Sequence, residues 1–273
     1  MPSTVYVADH DITTHVGGAE KVDYNIYSAL NIPFITAHAV NMIGVSKDIM
    51  YVISNATMLT PHIRAQLIKN KNYIIVEHDY KIHPTRQPHR YPSNIFPPDE
   101  RTNLDFYKNA QIVFLQSKDH LDCFKANGVE GNLYSLSTSI WDEQELETLY
   151  RFSTIHKSDY RYCVLANNTP DKGVDIAIAF CKQNNLDYVR MPELSLLAFY
   201  KELSKYSTLV YFPRVKESFC RLVVEARCLQ MNVITTNNYG ATKEEWFSRS
   251  GRDLIEFLRV RTKENLKLIK SYL

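Results

Sequence analysis

Residues 208–241, TLVYFPRVKESFCRLVVEARCLQMNVITTNNYGA, fix the chain as α/β. A β-branched and aromatic run closes at Phe212, a loop carries Glu217, an apolar helical pattern starts near Phe219, and a second strand run begins at Asn232. Apolar residues on consecutive strand positions suit a parallel sheet covered on both faces. Outward from this stretch the alternation recurs. Strand-like runs at 3–8 (STVYVA), 33–38, 50–54, 73–77 (YIIVE), 111–115, 161–166 and 186–190 alternate with helical patterns at 19–30, 61–70, 118–127, 142–151, 173–184 and 194–205. Such alternation predicts parallel strands joined by right-handed crossovers.

A seam lies at 138–160, where a polar, amphipathic helical pattern precedes a fresh strand at 161. It predicts a linker between two Rossmann-like domains, 1–137 and 161–273. Eight of the nine histidines lie at or before His120 and the ninth is His156 in the seam, so the two halves carry different chemistry. Residues 83–98 hold five prolines and predict an irregular loop.

The length is 273 residues, and 32 Lys and Arg against 30 Asp and Glu leave a formal charge of +2. That near balance, with 45% hydrophobic and 23% charged residues, argues against a disordered chain and against a basic nucleic-acid binder. Five scattered cysteines without a C-x-x-C pair fit neither a disulfide framework nor a zinc knuckle. The apolar stretches fall short of the roughly 20 residues that span a bilayer, and MPSTVYVADHD lacks the shape of a secretory signal, so the expectation is a cytoplasmic protein without a transmembrane segment. His78, Asp79, His83 and His89 cluster within 12 residues, but their spacing matches no helical ligand pair, so no metal site is expected.

The loop amides of Ser218, Phe219 and Cys220 fall at the start of a helix, where exposed N–H groups and the helix dipole favour a phosphate. They also follow a strand end, where open α/β sheets bind nucleotides. Glu225, inside an otherwise apolar stretch, suits a vicinal diol such as a ribose. Glu217 to Glu225, ESFCRLVVE, resembles the E-x7-E element of the family 4 retaining glycosyltransferases, usually E-[GS]-F-G-[apolar]-x-x-x-E, with Cys220 standing where that element has glycine. Their fold is GT-B, two Rossmann-like domains with parallel sheets facing an interdomain cleft.

Three further stretches are similar to that family in the same order. Ala166 to Gly173, ANNTPDKG, is similar to its G-R-x-x-x-E-K-G element, with Lys172 in the place of the diphosphate-binding lysine and Asn167 where an arginine is expected. Arg221 stands where the family has an apolar residue and is a candidate replacement cation. His15 to Val22, HVGGAEKV, is similar to the N-terminal G-G-A-E loop, with Gly17 and Gly18 allowing close approach to a donor phosphate. His78, at the end of the 73–77 strand, stands at the position of an active-site histidine.

The resemblance implies a metal-independent transferase that needs no cofactor beyond its nucleoside diphosphate sugar, UDP- or GDP-linked, and moves the sugar to a hydroxyl of a glycan, lipid-linked or protein acceptor. It implies that Glu217 and His78 orient the donor hexose, that Glu225 holds the ribose, and that Lys172 with the 218–220 amides meets the diphosphate. Each residue keeps a structural reading. Glu225 can pair with Arg221 four residues back, Lys172 can be surface charge beside Asp171, and His78 can be a hydrogen-bonded wall residue. The rival function is a trimmed, non-catalytic GT-B-like protein that binds nucleotide or glycan or serves as a partner subunit, motivated by Asn167, Cys220 and the short length.

Overall fold

The computed structural model describes residues 3–15, 17–166, 169–236 and 238–273. The chain forms two compact units, Met1–Ile140 with Arg261–Leu273, and Trp141–Val260. Among the described residues the first unit runs β1 (Ser3–Ala8), α1 (Gly18–Ala29), β2 (Phe34–Thr36), α2 (Ala37–Ile43), β3 (Ile49–Ile53), α3 (Pro61–Asn70), β4 (Tyr73–Glu77), α4 (Leu104–Lys108), β5 (Val113–Leu115), α5 (Lys118–Ala126) and β6 (Leu133–Ser135). Its strands are all parallel, in the order β2-β1-β3-β4-β5-β6. Helix starts carry their own caps. Thr60 accepts the Ile63 N–H with Pro61 at the first helical position, and Ser117 accepts the His120 N–H.

Both faces of this sheet are covered, as the continuous apolar runs require. Val5, Val7, Tyr73 and Ile75 join one buried cluster, whereas Tyr6, Val52, Ile74 and Val76 join another. The register lines Tyr6 up with Val52, and Val52 with Ile74, so one row crosses three strands on a single face. The proline-rich 83–98 segment has no strand; it forms short 3-10 turns at Pro88–Arg90 and Pro92–Asn94.

The second unit runs α6 (Glu143–Phe152), β7 (Asp159–Leu165), α7 (Val174–Gln183), β8 (Tyr188–Met191), α8 (Leu196–Leu203), β9 (Tyr206–Tyr211), α9 (Arg221–Cys228) and β10 (Asn232–Thr235), followed by the start of α10 (Gly251–Lys270). Its strands, again parallel, are ordered β10-β9-β7-β8. Cys163, Leu209 and Tyr211 face one core while Val164 and Val210 face the other.

The domain limits read from sequence differ from these units at both ends. The 138–160 segment holds α6, capped by Asp142, and its Leu146 and Leu149 lie in the second unit's core. At the other end α10 is shared. Leu254, Ile255 and Leu258 are buried in the second unit, while Ile269 joins the first unit's core and Asn265 donates to the Leu136 carbonyl at 3.0 Å. Residues 261–273 therefore belong to the first unit. Three short elements, α2, α4 and β6, carry too few periodic residues for the pattern to stand out in sequence. Among the described residues no helix is long and apolar enough to cross a membrane, and all five cysteines are buried outside any disulfide.

His120 on α5 is fully buried beneath the loop that follows β4. Its Nδ1 accepts the Gln116 N–H at 3.3 Å and its Nε2 donates to the Asp79 carbonyl at 3.0 Å, an arrangement for the neutral ring. Burial pushes His120 down to about 4, against an upward pull from Glu77. Between that value and the ordinary 6.5 the unfolded chain binds more protons than the folded one, so stability rises with pH across the window and is lost as pH falls through it. The full effect amounts to roughly 3 kcal/mol. We expect His120→Gln to destabilise the protein less at pH 4.5 than at pH 7.5, measured by urea denaturation; an equal loss at both pH values would contradict a buried neutral His120.

Candidate functional site

In the second sheet the strand order reverses between β7 and β9, and the loops leaving their carboxyl ends enter helices that pack into different cores, α7 with Val164 and Val210 and α9 with Cys163 and Leu209. After β7 the chain makes a 3-10 turn at Pro170–Lys172 and enters α7 through Gly173, which has φ +58°. A Cβ at Gly173 would lie 1.9 Å from the Phe212 carbonyl oxygen, so the chain after β9 passes where only glycine fits. The Arg214 N–H donates to the Asp171 carbonyl at 2.9 Å and ties the two loops together. This contact sets Lys172 against Glu217.

The Lys172 ammonium lies 3.0 Å from Glu217 Oε1, and the Tyr211 hydroxyl donates to the same oxygen at 2.8 Å. Burial lowers the proton affinity of Lys172, but Glu217 outweighs it and holds the ammonium above its ordinary value. Tyr211 is pushed far up by burial and then by Glu217, so it remains a hydroxyl donor. The main chain around Glu217 is fixed as well. Its N–H donates to the Asn238 carbonyl at 3.0 Å, its carbonyl accepts the Gly240 N–H at 3.1 Å, and the Phe219 carbonyl accepts the Ala241 N–H at 3.0 Å.

Cys220 precedes α9 with φ +74° and ψ +85°, in the left-handed region. The resemblance expects glycine there, and the backbone gives the reason: a residue with a Cβ carries roughly 1–2 kcal/mol of strain in that region. The thiol is buried and lies against Glu217. Burial first, and then Glu217, hold it well above its ordinary value, so it is no thiolate nucleophile.

Arg221 and Glu225 form a second, deeper group on α9. The Arg221 guanidinium makes an ion pair with Glu145 at 2.6 Å, lies 3.9 Å from the Trp141 ring centroid, and approaches Glu225 at 3.6 Å. Tyr200 donates to Glu145 at 2.6 Å. Burial opposes the charge on Arg221, but Glu145 and Glu225 hold its proton more tightly than usual. The expected replacement cation is thus engaged with two carboxylates and an aromatic face, and Glu225 has the i−4 partner that its spacing allowed. Asn167, also expected at the donor site, lies outside the described residues.

In the first unit the switch point falls between β1 and β3. Gly17 precedes α1 and Gly18 opens it. A Cβ on Gly17 would stand 2.3 Å from Glu20 Oε2, because the Glu20 carboxylate folds back over the helix start; a Cβ on Gly18 meets nothing within 4 Å. His78 follows β4 directly, its N–H donating to Glu77 Oε1 at 2.9 Å and its Nε2 standing 2.6 Å from Asp23 Oδ1 on α1. Burial raises the Glu77 carboxyl, but Lys81 and the Tyr107 hydroxyl outweigh it and hold the group below its ordinary value.

The structure thus gathers Lys172, Glu217 and Cys220 at one strand-end site, with Arg221 and Glu225 on the adjoining helix, and sets His78 beside the helix that Gly17 and Gly18 begin. Sequence reasoning missed Asp23, Glu145, Trp141, Tyr200 and Tyr211. Only Asp23 carried a signal, as a carboxylate beside Val22 and three positions before Ile26 on the buried side of its helix. The pairing of Glu145 with Arg221 spans too much chain for any local pattern. Among the described residues no group of three His, Cys, Asp or Glu side chains is arranged to hold a metal; His83, for one, pairs with Glu100 at 2.8 Å.

No family model and no curated protein sequence matches the chain. Solved structures do. The chain is similar to Anabaena Alr3699/HepE in complex with UDP, with TM-score 0.58 and 12% identity over 99% of this chain and 92% of that one. It is also similar to an α,α-trehalose-phosphate synthase (UDP-forming) from Burkholderia vietnamiensis, with TM-score 0.51 and 10% identity over 94% and 76% of the two chains. AviGT4, a glycosyltransferase involved in avilamycin A biosynthesis, matches with TM-score 0.50 and 11% identity over 99% and 97%. Likeness at these identities carries the fold alone: the chain has the two-sheet α/β fold of GT-B glycosyltransferases.

Proposed function

We propose that the protein is a retaining glycosyltransferase that moves a sugar from a nucleoside diphosphate donor to an acceptor hydroxyl without a metal ion. The observation that carries this reading is the Lys172–Glu217 ion pair, placed at the carboxyl ends of β7 and β9 where the second sheet's strand order reverses. Each charge of the pair suits one part of such a donor. The Lys172 ammonium and the Ser218, Phe219 and Cys220 amides meet the diphosphate as negative charge builds on it, the preorganised electrostatic term that usually dominates. Glu217, held by Tyr211, accepts from hexose hydroxyls, Glu225 accepts from the ribose, and His78 in the first unit keeps the sugar-facing role that the resemblance gives it. Arg221 holds Glu225 in place.

In the transfer step the bond from the anomeric carbon to the diphosphate oxygen breaks, and the acceptor oxygen forms its bond on the same face. The departing phosphate oxygen takes the acceptor proton, so no side-chain nucleophile is needed. Structures of the fold with UDP and with UDP-glucose favour a uridine donor over a guanosine one. Glycan, lipid-linked and protein acceptors all supply the required hydroxyl. A second reading, binding of nucleotide or glycan without turnover, draws on Cys220, whose side chain fills the space beside Glu217 that glycine would leave open.

A thermal-shift comparison of UDP, GDP, ADP and CMP in EDTA tests the donor site. Ligand at 100 times its Kd adds about 2.7 kcal/mol of stability, and we expect UDP alone to give a rise on that scale. Glu217→Ala should abolish donor hydrolysis and transfer while the UDP shift persists. UDP binding without turnover in the unmutated protein would favour the second reading, and no response to any nucleotide would remove the transferase reading and leave only glycan or partner binding. Arg221→Met leaves Glu145 buried without its cation, which costs on the order of 3 kcal/mol. We expect Arg221→Met combined with Glu145→Gln to lose less, by chemical denaturation, than the two single losses added; simple additivity would show that the pair is not coupled.

A further inference from the structure

Asp23 on α1 is almost completely buried, at 1% exposure. Three groups converge on its Oδ1: the Tyr6 hydroxyl donates at 2.8 Å, the Ser54 hydroxyl donates at 2.5 Å, and His78 Nε2 stands at 2.6 Å. Its Oδ2 is buried with no hydrogen-bond partner among the described residues. A carboxylate in that position is costly, because a buried charge is tolerated only through its partners. An apolar side chain would sit there at less cost, beside Val22 and Ile26 on the same covered face of α1. The partners are what distinguish the position. Tyr6 lies on β1, Ser54 directly follows β3 and His78 directly follows β4, so the carboxylate collects groups from three strands at the first sheet's switch point.

We propose that Asp23 is a positioning residue that fixes the ring orientation and the tautomer of His78. An ionised carboxylate only accepts, so His78 Nε2 carries the hydrogen and the lone pair of the neutral ring lies on Nδ1. Any further group that meets Nδ1 must then donate, as a sugar hydroxyl does. The main chain of His78 is held independently, its N–H on Glu77 Oε1 at 2.9 Å and the neighbouring Asp79 N–H on the same oxygen at 2.9 Å. Two buried carboxylates therefore act on one histidine, Glu77 setting its backbone and Asp23 its ring. The part of Asp23 in sugar transfer rests on the glycosyltransferase reading above; its hold on the His78 ring does not.

The test is a long-range 1H–15N correlation spectrum of the full chain labelled at histidine, with His78 assigned by its loss in His78→Gln. We expect the unmutated protein to show His78 with the hydrogen on Nε2, and Asp23→Asn to move it to Nδ1 or to leave the two tautomers mixed, since the amide can donate where the carboxylate accepted. In the same samples we expect kcat for UDP-sugar turnover to fall about 10- to 100-fold in Asp23→Asn, the scale known for outer partners that orient metal-bound imidazoles, with the Kd for UDP changed less than about twofold. A hydrogen on Nδ1 in the unmutated protein overturns the proposal, and that reading stands even if Asp23→Asn does not fold. An unchanged tautomer in folded Asp23→Asn, or an unchanged kcat in an active protein, overturns it equally. A protein that turns over no donor defeats the glycosyltransferase reading and the catalytic part of the proposal, while the spectrum still decides whether Asp23 sets the His78 ring.

Discussion

Parallel strands covered on both faces leave few side chains for solvent along their length, and everything else in this protein follows from that constraint. Tyr6, Val52 and Ile74 fill one side of the first sheet while Val5, Val7 and Ile75 fill the other. Chemistry is therefore confined to the strand ends, and among these to the carboxyl ends where neighbouring loops part. Lys172 and Glu217 stand at one such point and His78 at another, each a short way beyond a run of buried apolar strand residues.

Putting polar groups at these points requires buried or half-buried charges, and the protein stabilises each one by convergence of donors. Glu77 takes two main-chain N–H groups, the Tyr107 hydroxyl and the Lys81 ammonium. Glu145 takes Tyr200 and Arg221, and Glu217 takes Tyr211 and Lys172. A buried ion pair adds little net stability compared with apolar packing, but losing one partner is expensive. The benefit is geometric, because side chains held by several partners keep one arrangement. Tyrosine recurs in all three of these groups as the neutral donor, as Tyr107, Tyr200 and Tyr211.

The legibility of the sequence follows the range of the interactions. Strand runs such as 73–77 and helical patterns such as 61–70 are local, and both elements stand where the residues put them. The short helices α2 and α4 and the three-residue β6 are not visible, since their conformation is set by what they pack on. The 138–160 seam marks a real change of unit, yet its helix belongs to the second core because Leu146 and Leu149 are buried there. At the site, Glu217 and Lys172 can be singled out by loop chemistry, and the structure brings them together. Tyr211 and Glu145 cannot, and Asp23 shows only as a carboxylate on the buried side of its helix, since each acts through a partner that no local pattern connects to it.

Cys220 shows how a single backbone torsion links these levels. The loop from β9 must rise past Gly173, pair with residues 238–240 and then turn abruptly into α9, and the turn is completed by a residue at φ +74°. Glycine would meet that demand without strain, but it would leave the space beside Glu217 unfilled. Cysteine accepts the strain and fills it with a small, polarisable group whose thiol stays protonated beside the carboxylate. The Glu217 carboxylate is then bounded by a thiol, a phenol and an ammonium, three donors of graded strength. Of the three only the ammonium is carried by a long, flexible stem and stays part-exposed, so Lys172 is the partner of Glu217 that the fold fixes least.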